Sequence, residues 1–147
     1  KNEIIYKTED IMIKLIIGKK GSGKTKALIE MVNSALAVTK GSVVCIEKGD
    51  KLKFDINYHC RLIDTDDYLI TDGQSLFGFI SGILASNHDV TDIFVDSALK
   101  ICQNNADSFD TFLKEVDAVV NKYGVNCVIT SSLALEEASD TVKKYVD

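Results

Sequence analysis

The eight residues from Gly18 to Thr25 read Gly-Lys-Lys-Gly-Ser-Gly-Lys-Thr, a glycine-rich run that ends in a lysine and a hydroxyl side chain. Glycines let the backbone bend so that several N–H groups point at one anion. The helix that follows adds the positive end of its dipole. The spacing therefore predicts a binding site for a chain of phosphates, formed by Gly18, Lys19, Lys20, Gly21, Ser22, Gly23, Lys24, Thr25 and Lys26.

This run matches the pattern G-x-x-x-x-G-K-[ST] without a mismatch, after an apolar strand pattern and before a helical one. On these residues the chain resembles the P-loop nucleoside triphosphatases. The resemblance implies ATP or GTP bound with Mg²⁺, with Lys24 at the outer phosphates as a catalytic residue. It also implies that the Thr25 hydroxyl is a magnesium ligand.

A second magnesium-holding residue is implied by the same resemblance, as an aspartate that ends a hydrophobic strand. The best candidate is Asp96, at the end of the apolar segment 92–96. Asp64, which follows the apolar pair Leu62-Ile63, is the alternative. Asp96 could also simply cap a helix over residues 97–103.

Glu47 is the candidate for positioning the attacking water. Many ATPases carry a glutamate directly after the magnesium aspartate, but Ser97 stands there in this chain. RecA-like ATPases instead place it at the end of the strand after the P-loop helix, where Glu47 lies. There it could orient and deprotonate water. The alternative is a solvated glutamate paired with Lys48 or Lys51.

Thr130 and Ser131 end the last strand pattern. In the resemblance they match a polar sensor position that contacts the γ-phosphate. The alternative is that Ser131 or Ser132 caps the last helix.

The surrounding patterns must position these residues, and they alternate between strands and helices. Apolar, β-branched runs predict strands over 11–17, 43–47, 58–63, 92–96 and 125–130. Helical patterns cover 25–38, 73–86 after a capping Asp72, a segment from Asp107 or Ser108 to Gly124, and 133–145. The alternation predicts a three-layer α/β/α fold, RecA-like, around a mainly parallel sheet of about five strands.

Composition excludes several classes of protein. A net charge of −5 and a pI near 5.0 argue against a nucleic-acid-binding protein. No apolar run reaches the roughly 18 residues of a membrane span. The cysteines lack the paired spacing of a zinc ribbon, and we interpret them as buried, which favours the cytoplasm. These cysteines are Cys45, Cys60, Cys102 and Cys127.

Arginine is nearly absent, since Arg61 is the only arginine among 17 basic residues. Kinases that phosphorylate a nucleotide usually clamp it with several arginines, so this class is disfavoured. GTPases are disfavoured because Asn121-Lys122-Tyr123-Gly124 lacks the aspartate of [NT]-K-x-D. The chain is therefore expected to bind ATP rather than GTP.

The length of 147 residues fits one domain. We interpret residues 12–147 as a P-loop nucleotide-binding domain and residues 1–11 as an upstream extension or a short extra strand. The expected function is slow, Mg²⁺-dependent ATP hydrolysis. Alternatives are a nucleotide-dependent switch or assembly module with little turnover, and a thymidine-kinase-like enzyme. So small a core is expected to act with a protein partner or as a homo-oligomer.

Overall fold

The central sheet has five parallel strands. A computed structural model describes residues 12–146, so the interpretation of residues 1–11 falls outside the described part of the chain. The sheet order is β1-β5-β4-β2-β3. The strand bounds are Ile13–Gly18 (β1), Ser42–Glu47 (β2), Arg61–Asp64 (β3), Val90–Val95 (β4) and Asn126–Ser132 (β5). The prediction of a parallel α/β fold with about five strands is confirmed.

Within the described residues, five helices flank this sheet. Their bounds are Lys24–Val38 (α1), Gly73–Ser86 (α2), Ala98–Ile101 (α3), Ala106–Tyr123 (α4) and Asp140–Tyr145 (α5). Short 3₁₀ turns lie at Thr65–Tyr68 and Leu135–Glu137. The predicted capping of α2 by Asp72 is confirmed, because its carboxylate accepts from the Ser75 backbone N–H at 2.8 Å.

Two hydrophobic clusters make the three layers. Leu28 and Val32 of α1 pack with Val43 and Phe94 on one face of the sheet. The other face packs against α2, α4 and α5, with Phe109 at its centre. Neighbouring residues along β2 and β4 alternate between the clusters, as expected of strands buried on both faces.

The carboxyl ends of the strands share one edge of the sheet. Gly18 lies opposite Ser132, and Glu47 lies opposite Asp64. Asp96 directly follows β4 and donates its backbone N–H to the Ile46 carbonyl at 2.9 Å. Ligands bind at this edge in open α/β sheets, because the loops and helix N-termini converge there.

Local predictions were less accurate at the ends of elements. The third strand is Arg61–Asp64, whereas the predicted strand over 58–63 began too early. Asn105 caps α4 by accepting from the Ser108 N–H at 2.9 Å, so the prediction of Asp107 or Ser108 was wrong. Gly124 ends that helix as predicted.

The last helix is much shorter than the predicted span of 133–145. It begins at Asp140, and the Ser139 hydroxyl accepts from the Val142 N–H at 3.1 Å. The alternative that Ser131 or Ser132 caps this helix is therefore wrong.

All four cysteines are free and buried, which confirms their interpretation as small core residues. Burial raises the pKa of the Cys102 thiol to about 11. Within residues 12–146, no helix is both long enough and apolar enough to cross a membrane.

Gly41 is a position where the fold tolerates no side chain. A Cβ atom there would overlap the Asp89 carbonyl oxygen, which accepts from the Ser42 N–H at 2.7 Å. We expect Gly41→Ala to lower the free energy of unfolding by about 1–3 kcal/mol, since backbone must move to relieve the overlap. Urea denaturation measures this change.

Gly82 is the matched control. It lies exposed on α2, and a Cβ atom there meets nothing within 4 Å. Gly82→Ala should raise the free energy of unfolding by up to about 1 kcal/mol, because alanine favours a helix. Equal effects of the two substitutions would contradict the proposed overlap at Gly41.

Candidate functional site

The segment between β1 and α1, residues 18–23, is called the glycine loop here. Gly21 has a φ of 84° and Gly23 a φ of 91°, a region that other residues rarely adopt. Gly23 is also the N-cap of α1 and has no side chain to cap the helix. The first-turn N–H groups of α1 have no acceptor within the helix. The loop therefore presents backbone donors and the positive helix end to an anion.

Lys24 lies over this loop. Its ammonium donates to the Lys19 carbonyl at 2.8 Å and lies 3.5 Å from the Ser22 hydroxyl. These contacts hold a positive charge at the concave side of the loop, where the sequence predicts phosphates. Six of the nine residues predicted for the phosphate site line one cleft, namely Lys20, Gly21, Gly23, Lys24, Thr25 and Lys26, whereas Gly18, Lys19 and Ser22 do not.

Asp96 lies beside Thr25, although the two residues are far apart in the chain. The Thr25 hydroxyl donates to the Asp96 carboxylate, at 3.2 Å from Oδ1 and 3.4 Å from Oδ2. Asp96 is only 9% exposed. Its backbone position after β4 aims this carboxylate at the start of α1. Asp96 does not act as a side-chain cap for α3, whose N-cap is Ser97.

Asp64, the alternative magnesium residue, is engaged elsewhere. Its Oδ1 accepts from the Gly49 N–H at 2.8 Å and from the Asp66 N–H at 2.9 Å. These bonds fix the backbone after β2 and β3. Of the two candidate aspartates, the structure brings only Asp96 to the Thr25 hydroxyl.

Thr130 and Ser131 lie behind Asp96. The Thr130 hydroxyl donates to Asp96 Oδ1 at 2.7 Å and accepts from the Ser97 N–H at 2.8 Å. The Ser131 hydroxyl accepts from the Leu99 N–H at 3.2 Å. Thr130 thus orients the Asp96 carboxylate instead of facing the cleft. Ser132 is the residue at this strand end that lines the cleft.

Glu47 is buried at 2% exposure and holds the turn that follows β2. Its carboxylate accepts from the Lys51 N–H at 3.2 Å and the Leu52 N–H at 3.1 Å. Within residues 12–146, Glu47 is therefore paired with no lysine side chain, and its burial differs from the solvated alternative drawn from the sequence. It is also not among the side chains that line the cleft.

This burial raises the pKa of the Glu47 carboxyl above its ordinary 4.5, and the nearby charges of Asp96 and Asp64 act in the same direction. The unfolded chain then ionises at lower pH than the folded protein, so Glu47 makes the protein less stable as pH rises through this window. We expect Glu47→Gln to remove this part of the pH dependence of stability. Urea denaturation between about pH 4.5 and 7.5 tests it, and parallel stability profiles for the two proteins would contradict it.

The cleft at this edge of the sheet has a volume of about 480 Å³. Its lining carries five lysines and a single carboxylate, in a chain whose net charge is −5. These charged residues are Lys20, Lys24, Lys26, Lys51, Lys100 and Asp96. So strong a local excess of positive charge favours a polyanionic ligand.

The donors at this site fit Mg²⁺. The ion takes oxygen ligands and is usually held by one or two carboxylates together with substrate phosphates and water. The Thr25 hydroxyl and the Asp96 carboxylate offer such oxygens side by side. Residues 12–146 contain no group of three or more His, Cys, Asp or Glu side chains that could hold a metal ion by itself, and this site offers one carboxylate and one hydroxyl.

The sequence analysis missed Lys51 and Lys100 as parts of this site. Lys51 belongs to the turn after β2 and was considered only as a possible partner of Glu47, while Lys100 lies on α3. No local pattern marks either residue. The useful signal was topological, because both segments follow strands whose carboxyl ends share the edge that holds Gly18.

No protein-family model matches the chain, and no curated protein is detectably similar to it. The residues of the glycine loop and of the cleft are therefore the basis for inferring a function.

Proposed function

We propose that this protein binds ATP with Mg²⁺ in the cleft and hydrolyses it slowly, as a P-loop nucleoside triphosphatase of RecA-like type. One observation carries the proposal: the hydroxyl of Thr25, the last residue of the motif, donates to the carboxylate of Asp96 at 3.2 Å. The motif predicts one magnesium ligand and the strand pattern predicts the other. Their contact supports both predictions together.

The roles of the residues follow from their positions. The glycine-loop N–H groups and Lys24 would bind the phosphate oxygens and stabilise charge that develops on the transferred phosphoryl group. Thr25 and Asp96 would hold the Mg²⁺, which when bound neutralises phosphate charge. Thr130 would keep Asp96 oriented through its 2.7 Å hydrogen bond.

Slow turnover is proposed because the site lacks a second carboxylate. Asp96 is the only acidic residue that lines the cleft within the described residues, and Glu47 bonds the backbone of the following turn. Arg61 is directed elsewhere, with its guanidinium 3.4 Å from the Tyr68 hydroxyl. The cleft therefore offers little assistance to phosphoryl transfer from a general base or from an arginine.

The lack of a second carboxylate in the cleft also favours a second candidate function, a nucleotide-dependent switch with very little turnover. In that case ATP and ADP would stabilise different states for a partner, and hydrolysis would be incidental. Four buried free thiols support a reducing compartment, which we propose to be the cytoplasm.

Calorimetry and a phosphate-release assay on the purified protein test the proposal. We expect ATP to bind in the presence of Mg²⁺ more tightly than in EDTA, and GTP to bind more weakly. Turnover should lie well below the roughly 10 s⁻¹ typical of enzymes. Tight binding with phosphate release at background would favour the switch. Failure of ATP to bind would overturn both functions.

A further inference from the structure

Three lysines belong to the segment that follows β2, and they differ in their surroundings. Lys48 pairs with Asp66 at 2.7 Å, and Lys53 pairs with Asp50 at 3.2 Å. The Lys51 ammonium makes no hydrogen bond or ion pair to any other residue in 12–146, and Lys51 lines the cleft. Two of the charges are thus partly neutralised, and the one at the cleft is not.

The backbone that carries Lys51 is fixed from two sides. The Glu47 carboxylate accepts from the Lys51 and Leu52 N–H groups at 3.2 and 3.1 Å. On the other side of the turn, Asp64 accepts from the Gly49 N–H at 2.8 Å. Leu52, directly after Lys51, is buried in the α1 side of the core. The turn therefore presents Lys51 at one position instead of letting it sample a flexible loop.

We propose that Lys51 contacts the phosphate chain of the bound nucleotide, and that Glu47 is a positioning residue that holds Lys51 at the cleft. This inference rests on the proposed function. It gives Glu47 a role other than activation of water. It also explains why the Glu47 carboxylate at this strand end accepts from backbone N–H groups of the following turn.

The proposed contact between Lys51 and the phosphates is electrostatic. A triphosphate carries several negative charges, and the glycine loop with Lys24 approaches it from the start of α1. Lys51 belongs to a different strand end and brings a further compact charge from a separate segment. An ammonium near the phosphates can supply some of the attraction that arginine supplies elsewhere, in a chain whose one arginine is directed to Tyr68.

Calorimetry with two ligands, ATP and inorganic tripolyphosphate, tests the contact. Lys51→Ala should weaken both ligands by the same factor of about ten, since the lost interaction is with phosphate oxygens. Lys53→Ala is the matched control and should change both affinities by less than about twofold, in line with an exposed ion pair. Lys51→Arg keeps the charge and should recover most of the affinity.

The results separate this inference from the proposed function. Wild-type protein that binds both ligands, with Lys51→Ala equally tight, would overturn the role of Lys51 alone. A loss for ATP without a loss for tripolyphosphate would also overturn it, because the contact would then involve the nucleoside. Wild-type protein that binds neither ligand would overturn both proposals.

A double-mutant cycle tests the role of Glu47. Glu47→Gln should weaken tripolyphosphate binding by several-fold in the wild-type background and by nothing measurable in the Lys51→Ala background. Circular dichroism verifies that each variant is folded. Equal losses in the two backgrounds would show that Glu47 does not act through Lys51, and would overturn its assignment as a positioning residue.

Discussion

Lys24→Ala should lower the affinity for ATP by about 100-fold, the largest effect we expect from any change in the cleft. Hydrogen bonds to charged groups contribute about 1.5–3 kcal/mol, which corresponds to roughly 10–150-fold in affinity. Lys24 also donates to the Lys19 carbonyl at 2.8 Å, so its removal loosens the glycine loop that must bind the same phosphates. The two losses act on one ligand, which places the expected effect at the upper end.

Calorimetric titration with MgATP measures this change. Lys40→Ala is the matched control, because Lys40 is an exposed lysine just beyond the opposite end of α1. The affinity of the Lys40→Ala variant for ATP should equal that of the wild type. Unaltered ATP binding by Lys24→Ala would contradict the assignment of the glycine loop as the phosphate site.

Asp96→Asn should remove most of the dependence of nucleotide binding on Mg²⁺. Asparagine keeps an acceptor for the Thr130 hydroxyl, which lies 2.7 Å from Asp96 Oδ1, and loses the negative charge. Changes in the groups that hold and orient a metal typically cost 10–100-fold in metal affinity or activity. We therefore expect the gain in ATP affinity on adding Mg²⁺ to shrink by a factor in this range.

Titrations with ATP in Mg²⁺ and in EDTA measure that gain for each protein. Asp92→Asn is the control, since Asp92 lies near the start of β4, the strand that Asp96 follows, and accepts from Thr91. This variant should keep the wild-type gain. A full Mg²⁺ effect in Asp96→Asn would contradict a metal site at Asp96.

The sheet was predictable where a strand contains an uninterrupted apolar run. In residues 43–46 of β2 and 93–95 of β4, neighbouring side chains pack alternately into the two hydrophobic clusters, so burial on both faces requires consecutive apolar residues. Strand β3 was predicted less well because it is a four-residue edge strand that, within the described part of the chain, pairs only with β2. The pairing with β2 sets the start of β3 at Arg61. The sequence of β3 alone does not indicate where that pairing begins.

Among the helix caps, one was predicted correctly and another was not. Asp72 was identifiable because aspartate directly precedes an apolar helical pattern, and it caps α2 in a capping box with Ser75. Before α4, several residues in succession have side chains able to cap, and Asn105 makes the bond. Residue type alone could not choose among them, because the choice depends on where the preceding turn ends.

Some residues of the candidate site could be predicted from local sequence, and others depend on contacts between distant segments of the chain. The glycine loop is contiguous, so its pattern is complete in the sequence. Asp96 was found because a strand pattern leads to it. Lys51 reaches the cleft through hydrogen bonds between its backbone and the buried Glu47 carboxylate. That arrangement depends on the burial of a glutamate, which its sequence neighbours do not reveal.

The place of β1 at the edge of the sheet has a consequence for biosynthesis. Among the strands of residues 12–146, β1 pairs with β5, with Ile13 opposite Cys127, and on its other side Leu15 forms one isolated bridge to Val146. Joining segments so distant in the chain costs loop-closure entropy before the new contacts compensate for it. On the ribosome, the glycine loop emerges before β5, the strand that pairs with β1. The proposed nucleotide site is therefore complete only after β5 has emerged.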